Sequence, residues 1–378
     1  MAYDLMLIAK HFRLAGEPLE ITPLPTGHIN DTFILTAQEK GQATRCILQR
    51  INHAVFKEPI PTMSNILRVT EHIRRKALQD DAELAARQLT VFSTHEGLGY
   101  YQDAGGNVWR VYNFIEDAVT HDTLASTEPA YEAARMFGWF QRMLIDLPGP
   151  PLHETIRGFH DTPRRLQVFR DVLKADKFDR AKNAKAEIDF LRSHAEICDV
   201  LAELVKMGEV PVRIAHNDAK INNVMLDKRT GRGVCVIDLD TVMPGLSIYD
   251  FGDLVRTAAC RAAEDERDLS KVAVSFSMFC ALVRGFVSQT GEFLTPAERQ
   301  HLAFAGKLIT FEQFIRFLTD YLAGDVYYKV HREGHNLDRC RTQMVLVQSI
   351  MDQEKAMDAL VEKVFQSTPG ARLERSDR

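Results

Sequence analysis

The sequence predicts an α+β protein with two lobes, a small N-terminal lobe of antiparallel β-sheet (residues 1–113) and a larger, mainly helical C-terminal lobe (residues 114–378). Short apolar runs separated by glycine turns dominate the first part, as expected of strands joined by hairpins. After Pro129 the apolar residues recur at helical spacing to about residue 366. A polar stretch at 214–245 interrupts the helical part and alternates with short strand-like runs. These three observations define the predicted architecture.

The composition is that of a globular protein without a strong charge bias. The 378 residues include 47 Lys and Arg against 52 Asp and Glu, giving a net charge of −5, and 45% are apolar. This length allows two sizeable cores, and the charge balance argues against a nucleic-acid partner. The most apolar segment, 272–283, is too short to cross a bilayer. Six scattered cysteines and an N-terminus unlike a signal peptide predict reduced thiols in a cytoplasmic protein.

The strongest motif lies in the polar stretch. His216, Asp218, Lys220 and Asn223 follow the order H-x-D-x-K-x-x-N, which is the order of the catalytic loop of protein kinases. In phosphoryl transfer a carboxylate accepts the proton of the attacking hydroxyl group. Asp218 is predicted to be that base, and Lys220 to neutralise charge on the γ-phosphate. His216 is predicted to support the loop through hydrogen bonds.

A predicted hairpin brings two metal ligands together. Segments 222–226 and 234–237 have the pattern of strands, with a turn at 228–231 between them. Asn223 and Asp238 would then meet at the open end of the hairpin, where an amide oxygen and a carboxylate can hold Mg²⁺. Asp240 is predicted either as a second metal ligand or as a support of the loop.

The segments HNDAKINN and VIDLDT resemble those of the aminoglycoside phosphotransferase and choline kinase superfamily. Within it, the series HNDAKINNVMLD, VIDLDTVMPG and YDFGDLVR is similar to the N-acetylhexosamine 1-kinases, and the similarity runs from about residue 26 to about residue 335. The resemblance implies a bilobal protein-kinase-like fold that uses ATP and Mg²⁺. It also implies phosphorylation of the anomeric hydroxyl group of GlcNAc or GalNAc. We expect a monomer or weak homodimer without a membrane partner.

Candidate nucleotide contacts lie around the first strands. Gly27 lies in the turn of the first hairpin, where backbone N–H groups of a kinase approach the phosphates. His28 and Asn30 belong to the phrase GHIN, which matches the hexosamine kinase pattern. The strand at 45–51 lacks the ATP-binding lysine of kinases; Arg50 is the expected substitute, or Gln49 if the strand is shifted by one residue.

Further candidates lie on the helix and the segment that follow. Glu71, in a predicted helix at 63–78, is preferred over Glu58 as the partner of the strand arginine; the alternative is an exposed glutamate with ion pairs along the helix. Backbone groups from Asn113 through Ile115 to Glu116 would bind adenine in the hinge between the lobes.

The acceptor site is predicted less directly. His160 and Asp161 lie in a phrase that resembles one of the hexosamine kinases, although Asp161 alone has the pattern of a helix N-cap. Arg316 and Tyr327, in the last helices, are further candidates for contact with the acceptor. No A-P-E phrase of an activation loop is present, which argues against a protein substrate. The competing acceptors are aminoglycosides and choline-type alcohols.

Two other expectations concern the residues that follow the hairpin. Asp250 is predicted to hydrogen-bond the catalytic loop, and Asp253 to pair with Arg256. The alternative to an active kinase is a protein of a different class, a catalytically silent kinase fold that acts as a nucleotide sensor. The missing strand lysine supports this alternative.

Overall fold

The N-terminal region of this computed structural model is one antiparallel sheet. The structure describes residues 3–24 and 29–368, and these supply five strands in the order β1-β2-β3-β5-β4. The strands are β1 (Glu17–Pro23), β2 (Asp31–Glu39), β3 (Gln42–Arg50), β4 (Tyr101–Gln102) and β5 (Val108–Asn113). β2 and β3 pair along their whole length around the turn at Lys40 and Gly41. The predicted small antiparallel sheet is therefore confirmed.

The two faces of this sheet have different neighbours. Because side chains alternate along a strand, Leu48 and Trp109 lie on the outer face, where they pack with the short helix α1 (Leu5–Ala9). Val108 and Tyr112 lie on the inner face and join the main core. Helix α2 (Pro59–Asp80) contributes its buried residues, among them Met63 and Ile66, to the same core. The inner face of the sheet therefore faces the rest of the protein.

Helices dominate the chain after the sheet, as predicted. They are α3 (Ala82–Ala86), α4 (Thr127–Leu144), α5 (Thr162–Ala175), α6 (Lys185–Ser193), α7 (Val200–Lys206), α8 (Ser247–Ala258), α9 (Phe276–Thr290), α10 (Pro296–Gln300), α11 (Leu302–Leu322) and α12 (His335–Ser367). The core is formed where α4 packs on α9, and α11 packs on α8 and α12. No helix among the described residues combines the length and apolarity needed to cross a membrane.

The apolar patterns predict a helix at 3–15, a strand at 89–93 and a helix at 180–206, and all three differ from the observed elements. The segment at 89–93 makes only one bridge, from Val91 to Tyr112, and is not a strand. The first helix ends at Ala9 because the following residues pair with 93–94. The long helix predicted at 180–206 is broken after Ser193, where the side chains of Ser193 and His194 both donate to the carbonyl oxygen of Phe190. Such local side-chain bonds compete with the helix.

Substitution of Gly285 by alanine is expected to destabilise the protein by about 1–3 kcal/mol, although alanine normally favours a helix over glycine. A Cβ atom at Gly285 would lie 2.2 Å from the carbonyl oxygen of Tyr131 and 3.0 Å from the amide nitrogen of Arg135. Helix α9 would therefore have to move away from α4. Urea denaturation measures the effect, with exposed Ser288→Ala on the same helix as the control. A Gly285→Ala protein as stable as the wild type would contradict this packing.

Candidate active site

The polar stretch folds into a loop and a hairpin, as predicted. Three short strands hold it: β7 (Arg213–Ala215), β8 (Val224–Asp227) and β9 (Gly233–Val236). β8 and β9 are antiparallel and pair Val224 with Val236. The amide of Ile237 donates to the carbonyl oxygen of Asn223 at 2.9 Å. Asn223 and Asp238 therefore leave the open end of the hairpin from neighbouring positions.

Further short strands border this hairpin. β6 (Ala118–Val119) pairs with β8, and β10 (Met243–Gly245) pairs with β7. These pairings connect the segment after β5 to the hairpin, and the segment after Asp238 to the strand that enters the loop. Both ends of the polar stretch are thus fixed by backbone hydrogen bonds.

Asp250 on α8 hydrogen-bonds the start of the loop and is fully buried. Its carboxylate accepts the backbone N–H groups of His216 at 2.9 Å and Asn217 at 2.8 Å, and the side-chain amide of Gln141 at 2.6 Å. Burial raises the pKa of the Asp250 carboxyl group, and these donors, together with His216, oppose the rise. The predicted hydrogen bonds between Asp250 and this loop are confirmed.

His216 is a structural residue, as predicted. Its Nε2 atom donates to the carbonyl oxygen of Ile237 at 2.9 Å, because a carbonyl oxygen can only accept. Its Nδ1 atom accepts the backbone N–H of Asp218 at 3.3 Å. The rings of Phe137 and Phe140 meet the imidazole edge to face. Both ring nitrogens are therefore occupied, and His216 fixes the start of the loop against the end of the hairpin.

Asp218 lies beside two polar neighbours from its own loop. The Lys220 Nζ atom is 3.0 Å from Oδ2 of Asp218, and the Asn223 side-chain amide donates to the Asp218 carbonyl oxygen at 2.8 Å. Burial is the largest single effect and opposes ionisation of Asp218, but the charge and hydrogen bond of Lys220, together with His216 and Arg256, outweigh it, so the pKa of Asp218 is lowered. Asp218 in turn raises the pKa of Lys220. The loop therefore presents an ionised carboxylate and an ammonium group at neutral pH.

Asp238 is exposed at the surface although protein atoms surround its carboxylate, and it has an unusual backbone conformation. Its φ and ψ angles are +61° and +57°, in the left-handed region, which costs a non-glycine residue about 1–2 kcal/mol. Burial, followed by the charges of Asp240 and Asp218, raises the pKa of Asp238 to about 6. Contacts from surrounding residues must therefore stabilise both the strained backbone of Asp238 and the position of its carboxylate.

Asn223 and Asp238 fit a magnesium ion that is shared with a nucleotide. Mg²⁺ prefers oxygen ligands, and often takes only one or two carboxylates from the protein while phosphates and water complete its shell. The Asn223 amide nitrogen is used by Asp218, so its oxygen is the atom left for a cation. Within 3–24 and 29–368, no three His, Cys, Asp or Glu side chains converge as a cation site.

Asp240 has a different environment from Asp238. Arg110 from β5 contacts both of its carboxylate oxygens, with Nη2 to Oδ2 at 2.8 Å. The Asn30 side-chain amide also donates to Oδ2, at 2.6 Å. Arg110 and Asp240 are each 1% exposed. Of the two roles predicted for Asp240, this arrangement matches the support of the loop.

Arg50 does not join this cluster. It lies on the outer face of the sheet and pairs with Asp31 at 2.6 Å. Gln49, on the inner face, accepts from Arg110 Nε at 3.1 Å and from Nη2 at 2.9 Å. The position that the sequence analysis gave to Arg50 is thus taken by Arg110, which was not anticipated. Its signal is an arginine in the middle of the apolar run at 108–112.

Glu71 and Glu58 also stay apart from the cluster. Glu71 is exposed on α2, and Glu58 is the exposed residue before that helix. The side chain of α2 that approaches Arg110 is Met63, whose sulfur lies 3.9 Å from Nη1. A methionine therefore occupies the place near the buried arginine where an acidic partner was expected, and Asp240 supplies the acid instead.

The remaining nucleotide candidates have separate positions. Asn113 uses its side chain to bind Thr90 N–H at 2.7 Å and the Gln88 carbonyl oxygen at 3.1 Å. Ile115 is buried against β9. These side chains support the segment between β5 and β6, so only its backbone remains for a ligand. Gly27 and His28 lie outside the residues that the structure describes.

His160 contacts the catalytic loop, although not as a free side chain. Its Nε2 atom donates to the carbonyl oxygen of Asn217 at 2.9 Å, and its Nδ1 atom lies 3.0 Å from Glu312 of α11. Burial lowers the pKa of His160, but the Glu312 carboxylate outweighs it and raises the pKa; despite its own burial, the pKa of Glu312 is lowered to about 2. The pair is therefore an imidazolium and a carboxylate. Asp161 is exposed and caps α5 through Arg164 N–H at 3.1 Å.

Aromatic side chains gather around Arg316 of α11. Arg316 lies over the rings of Phe159, Tyr327 and Tyr328, at 5.3, 5.9 and 5.6 Å from their centroids. Tyr327 is 61% exposed. Arg256 pairs with Asp253 at 2.8 Å, as predicted, and its charge acts on Asp218.

Affinity for a divalent cation is expected to fall below pH 6. The Asp238 carboxyl, with a pKa raised to about 6, must lose its proton to bind a metal, so affinity should drop about tenfold per pH unit below 6 and level off above 7. Because the pKa of Asp238 is raised in the folded state, its protonated carboxyl group contributes most to stability below pH 4, and this contribution is lost as the pH rises through 6. Mn²⁺ titration followed by electron paramagnetic resonance between pH 5 and 8 measures the affinity. A flat profile would contradict the assignment.

Comparison with known proteins gives the class that the fold and this site define. Residues 20–276, more than half of the chain, match the phosphotransferase enzyme family, APH. The chain belongs to this family.

Several solved structures are similar over nearly the whole chain. An aminoglycoside phosphotransferase from Alicyclobacillus acidocaldarius has 13% identity, covers 95% of both chains and has a TM-score of 0.55. An ethanolamine kinase from Plasmodium vivax has 13% identity, covers 86% of this chain and 82% of its own, and has a TM-score of 0.53. Spectinomycin phosphotransferase in complex with ADP and spectinomycin has 13% identity, covers 96% and 98%, and has a TM-score of 0.50. The predicted kinase-like fold is thereby confirmed.

Proposed function

We propose that this protein is an ATP-dependent kinase that phosphorylates a hydroxyl group of a small molecule. The observation that carries the proposal is the ionised Asp218, held beside Lys220 and Asn223 and close enough for its charge to act on the Asp238 carboxylate. Membership of a phosphotransferase family and similarity to an enzyme solved with ADP support the nucleotide as phosphate donor.

The reaction needs little chemistry from the protein beyond positioning and charge. Asp218 accepts a hydrogen bond from the acceptor hydroxyl group and takes its proton as the oxygen attacks the γ-phosphorus. The bond from the γ-phosphorus to the oxygen that bridges it to the β-phosphate breaks, and ADP leaves. Lys220, 3.0 Å away, keeps the carboxylate ionised and offers a positive charge to the transferred group. Asn223 and Asp238 would hold Mg²⁺, which neutralises charge on the phosphates when it is bound.

The nucleotide is proposed to bind between the lobes at 1–113 and 114–378. Adenine would meet the backbone from Asn113 through Ile115 to Glu116, and the phosphates would meet the segment of sequence to which Gly27, His28 and Asn30 belong. Asn30 supports this placement, because it already bonds to the segment that follows Asp238.

An N-acetylhexosamine, phosphorylated at C1, is the proposed acceptor. The sequence resemblance suggests this sugar, and the side chains around Arg316 favour an uncharged acceptor over a cationic one. Arg316 would repel the charged groups of choline or an aminoglycoside, whereas the rings of Phe159 and Tyr327 beside it offer flat apolar surfaces to a sugar. Arg316 and Tyr327 are the proposed sugar contacts, and His160 supports the loop instead.

Turnover of ATP with Mg²⁺ against a panel of sugars, amino alcohols and aminoglycosides tests the proposal, with the product identified by phosphorus NMR. A sugar 1-phosphate from GlcNAc or GalNAc is the expected result. Turnover with another alcohol would retain the kinase and reject the sugar. Binding of ATP without turnover of any acceptor would favour a silent nucleotide sensor.

A further inference from the structure

The buried ion pair between Arg110 and Asp240 has no role in the reaction described above. We propose that Arg110 and Asp240 form a positioning pair, which holds both the Asp238 carboxylate and Asn30 in place, and that Asp240 is not itself a metal ligand. This inference rests on the proposed function, because it takes Asp238 to be the residue that binds the metal.

Every nitrogen of the Arg110 guanidinium group donates a hydrogen bond to a neighbouring side chain. Its two terminal nitrogens contact the two oxygens of Asp240 in a bidentate arrangement, the strongest geometry for an arginine and a carboxylate. Nε and Nη2 also donate to Gln49, whose amide donates in turn to the Thr32 hydroxyl at 3.0 Å. Arg110 is thus a rigid link from three strands of the sheet to Asp240.

Asp240 lies in the short turn at 239–241 that directly follows Asp238. Because Asp238 has a left-handed backbone, the direction of the chain after it must be held by other groups. Arg110 holds this turn from the sheet, and Asn65 of α2 holds its far end by donating to the Val242 carbonyl oxygen at 3.1 Å. One contact from the sheet and one from α2 therefore fix the chain that carries the Asp238 carboxylate.

Asn30 extends the same pair towards the nucleotide side. Its amide donates to Asp240 at 2.6 Å, and its oxygen accepts the backbone N–H of Asn52 at 3.0 Å. Asn30 directly precedes β2, so one carboxylate connects the start of that strand, the middle of β5 and the turn after Asp238. Displacement of Asp240 would disturb all three.

A metal-binding role for Asp240 would break this arrangement. Asp240 is 1% exposed and already accepts from Arg110 and Asn30. A cation bound there would compete with the buried guanidinium group for the same oxygens, which is costly. Asp238, in contrast, is exposed and has no arginine partner among the contacts of the described residues. In this proposal Asp238 binds the metal and Asp240 binds the arginine.

The test compares Arg110→Gln, Arg110→Lys, Asp240→Asn and the double variant Arg110→Gln/Asp240→Asn. Mn²⁺ binding to the ADP complex is counted and titrated by electron paramagnetic resonance, and kcat and the Mg²⁺ dependence are measured where turnover exists. The matched control is Arg341→Gln, which removes the arginine from a remote pair with buried Glu187. Thermal unfolding of each variant separates stability from metal binding.

We expect Arg110→Gln to weaken Mn²⁺ binding about 10–100-fold, the range typical of residues that orient a metal ligand. Arg110→Lys should recover part of the affinity, since lysine keeps the charge without the bidentate geometry. Asp240→Asn should weaken binding without changing the number of Mn²⁺ ions bound. The double variant should regain thermal stability but not affinity.

Two results would overturn the inference. Loss of one bound Mn²⁺ ion in Asp240→Asn would make Asp240 a ligand. Unchanged affinity in Arg110→Lys and the double variant would make the pair purely structural, and these two proteins decide the question even if Arg110→Gln does not fold. Because the Mn²⁺ readout needs no acceptor, failure of this inference is distinguishable from failure of the proposed sugar kinase activity.

Discussion

Asp218→Asn is expected to lower kcat by about 10³–10⁴-fold while the affinity for ADP stays within about twofold. A correctly placed general base contributes up to this factor, and asparagine cannot take a proton. The substitution keeps the size of the side chain, and the bond from Asn223 to the Asp218 carbonyl oxygen remains. A loss confined to kcat would mean that the removed interaction acts in the transition state.

Steady-state kinetics and fluorescence titration with ADP measure these two quantities. Asp179→Asn is a suitable control, because Asp179 is exposed and pairs only with the nearby surface residue Lys182 among the contacts that the structure describes. If the Asp218→Asn enzyme kept more than a tenth of the wild-type turnover, Asp218 would not be the base. The loop would then act through orientation alone.

Asp250→Asn should lower the free energy of unfolding by about 2–4 kcal/mol and kcat by about 10–100-fold. The buried carboxylate accepts three N–H donors, and an amide in its place would turn its own NH₂ group towards at least one of them. Leaving a buried donor unsatisfied costs about 1–3 kcal/mol, and more where the lost partner is charged. The loop that carries Asp218 would lose its fixed start.

Urea denaturation and kinetics on the same preparation test this prediction. Asp352→Asn is the matched control, since Asp352 also accepts a glutamine amide, from Gln348 at 2.9 Å, but is exposed. The control should change neither quantity. Wild-type stability and turnover in Asp250→Asn would show that the loop holds its shape without this carboxylate.

The loop and hairpin could be predicted because their geometry is local. Asn223 and Asp238 are joined by one short hairpin, so their spacing in the sequence already implies their proximity. Asp250 is only slightly further along the chain. In such cases the residues that cooperate are also neighbours in sequence, and a motif is sufficient to find them.

The contacts across the sheet could not be found in this way. Whether Arg50 or Gln49 faces the cleft depends on a shift of one residue, and the strand itself does not reveal it. Arg110 contacts an aspartate 130 residues away, a distance in sequence over which no spacing rule operates. His160 was placed near the acceptor, but its partner Glu312 on α11 determines that both ring nitrogens are already used.

The chain of contacts from Glu312 through His160 to Asn217 also bears on how acceptor specificity could be redesigned. Arg316 lies one helical turn after Glu312 on α11, so the helix that is proposed to meet the acceptor also supports the residue before Asp218. A library that varies Arg316 and Tyr327 alters the surface facing the acceptor and leaves this support intact. A library that includes Glu312 or His160 would change the alignment of the base together with specificity, and improved variants should be rare in it.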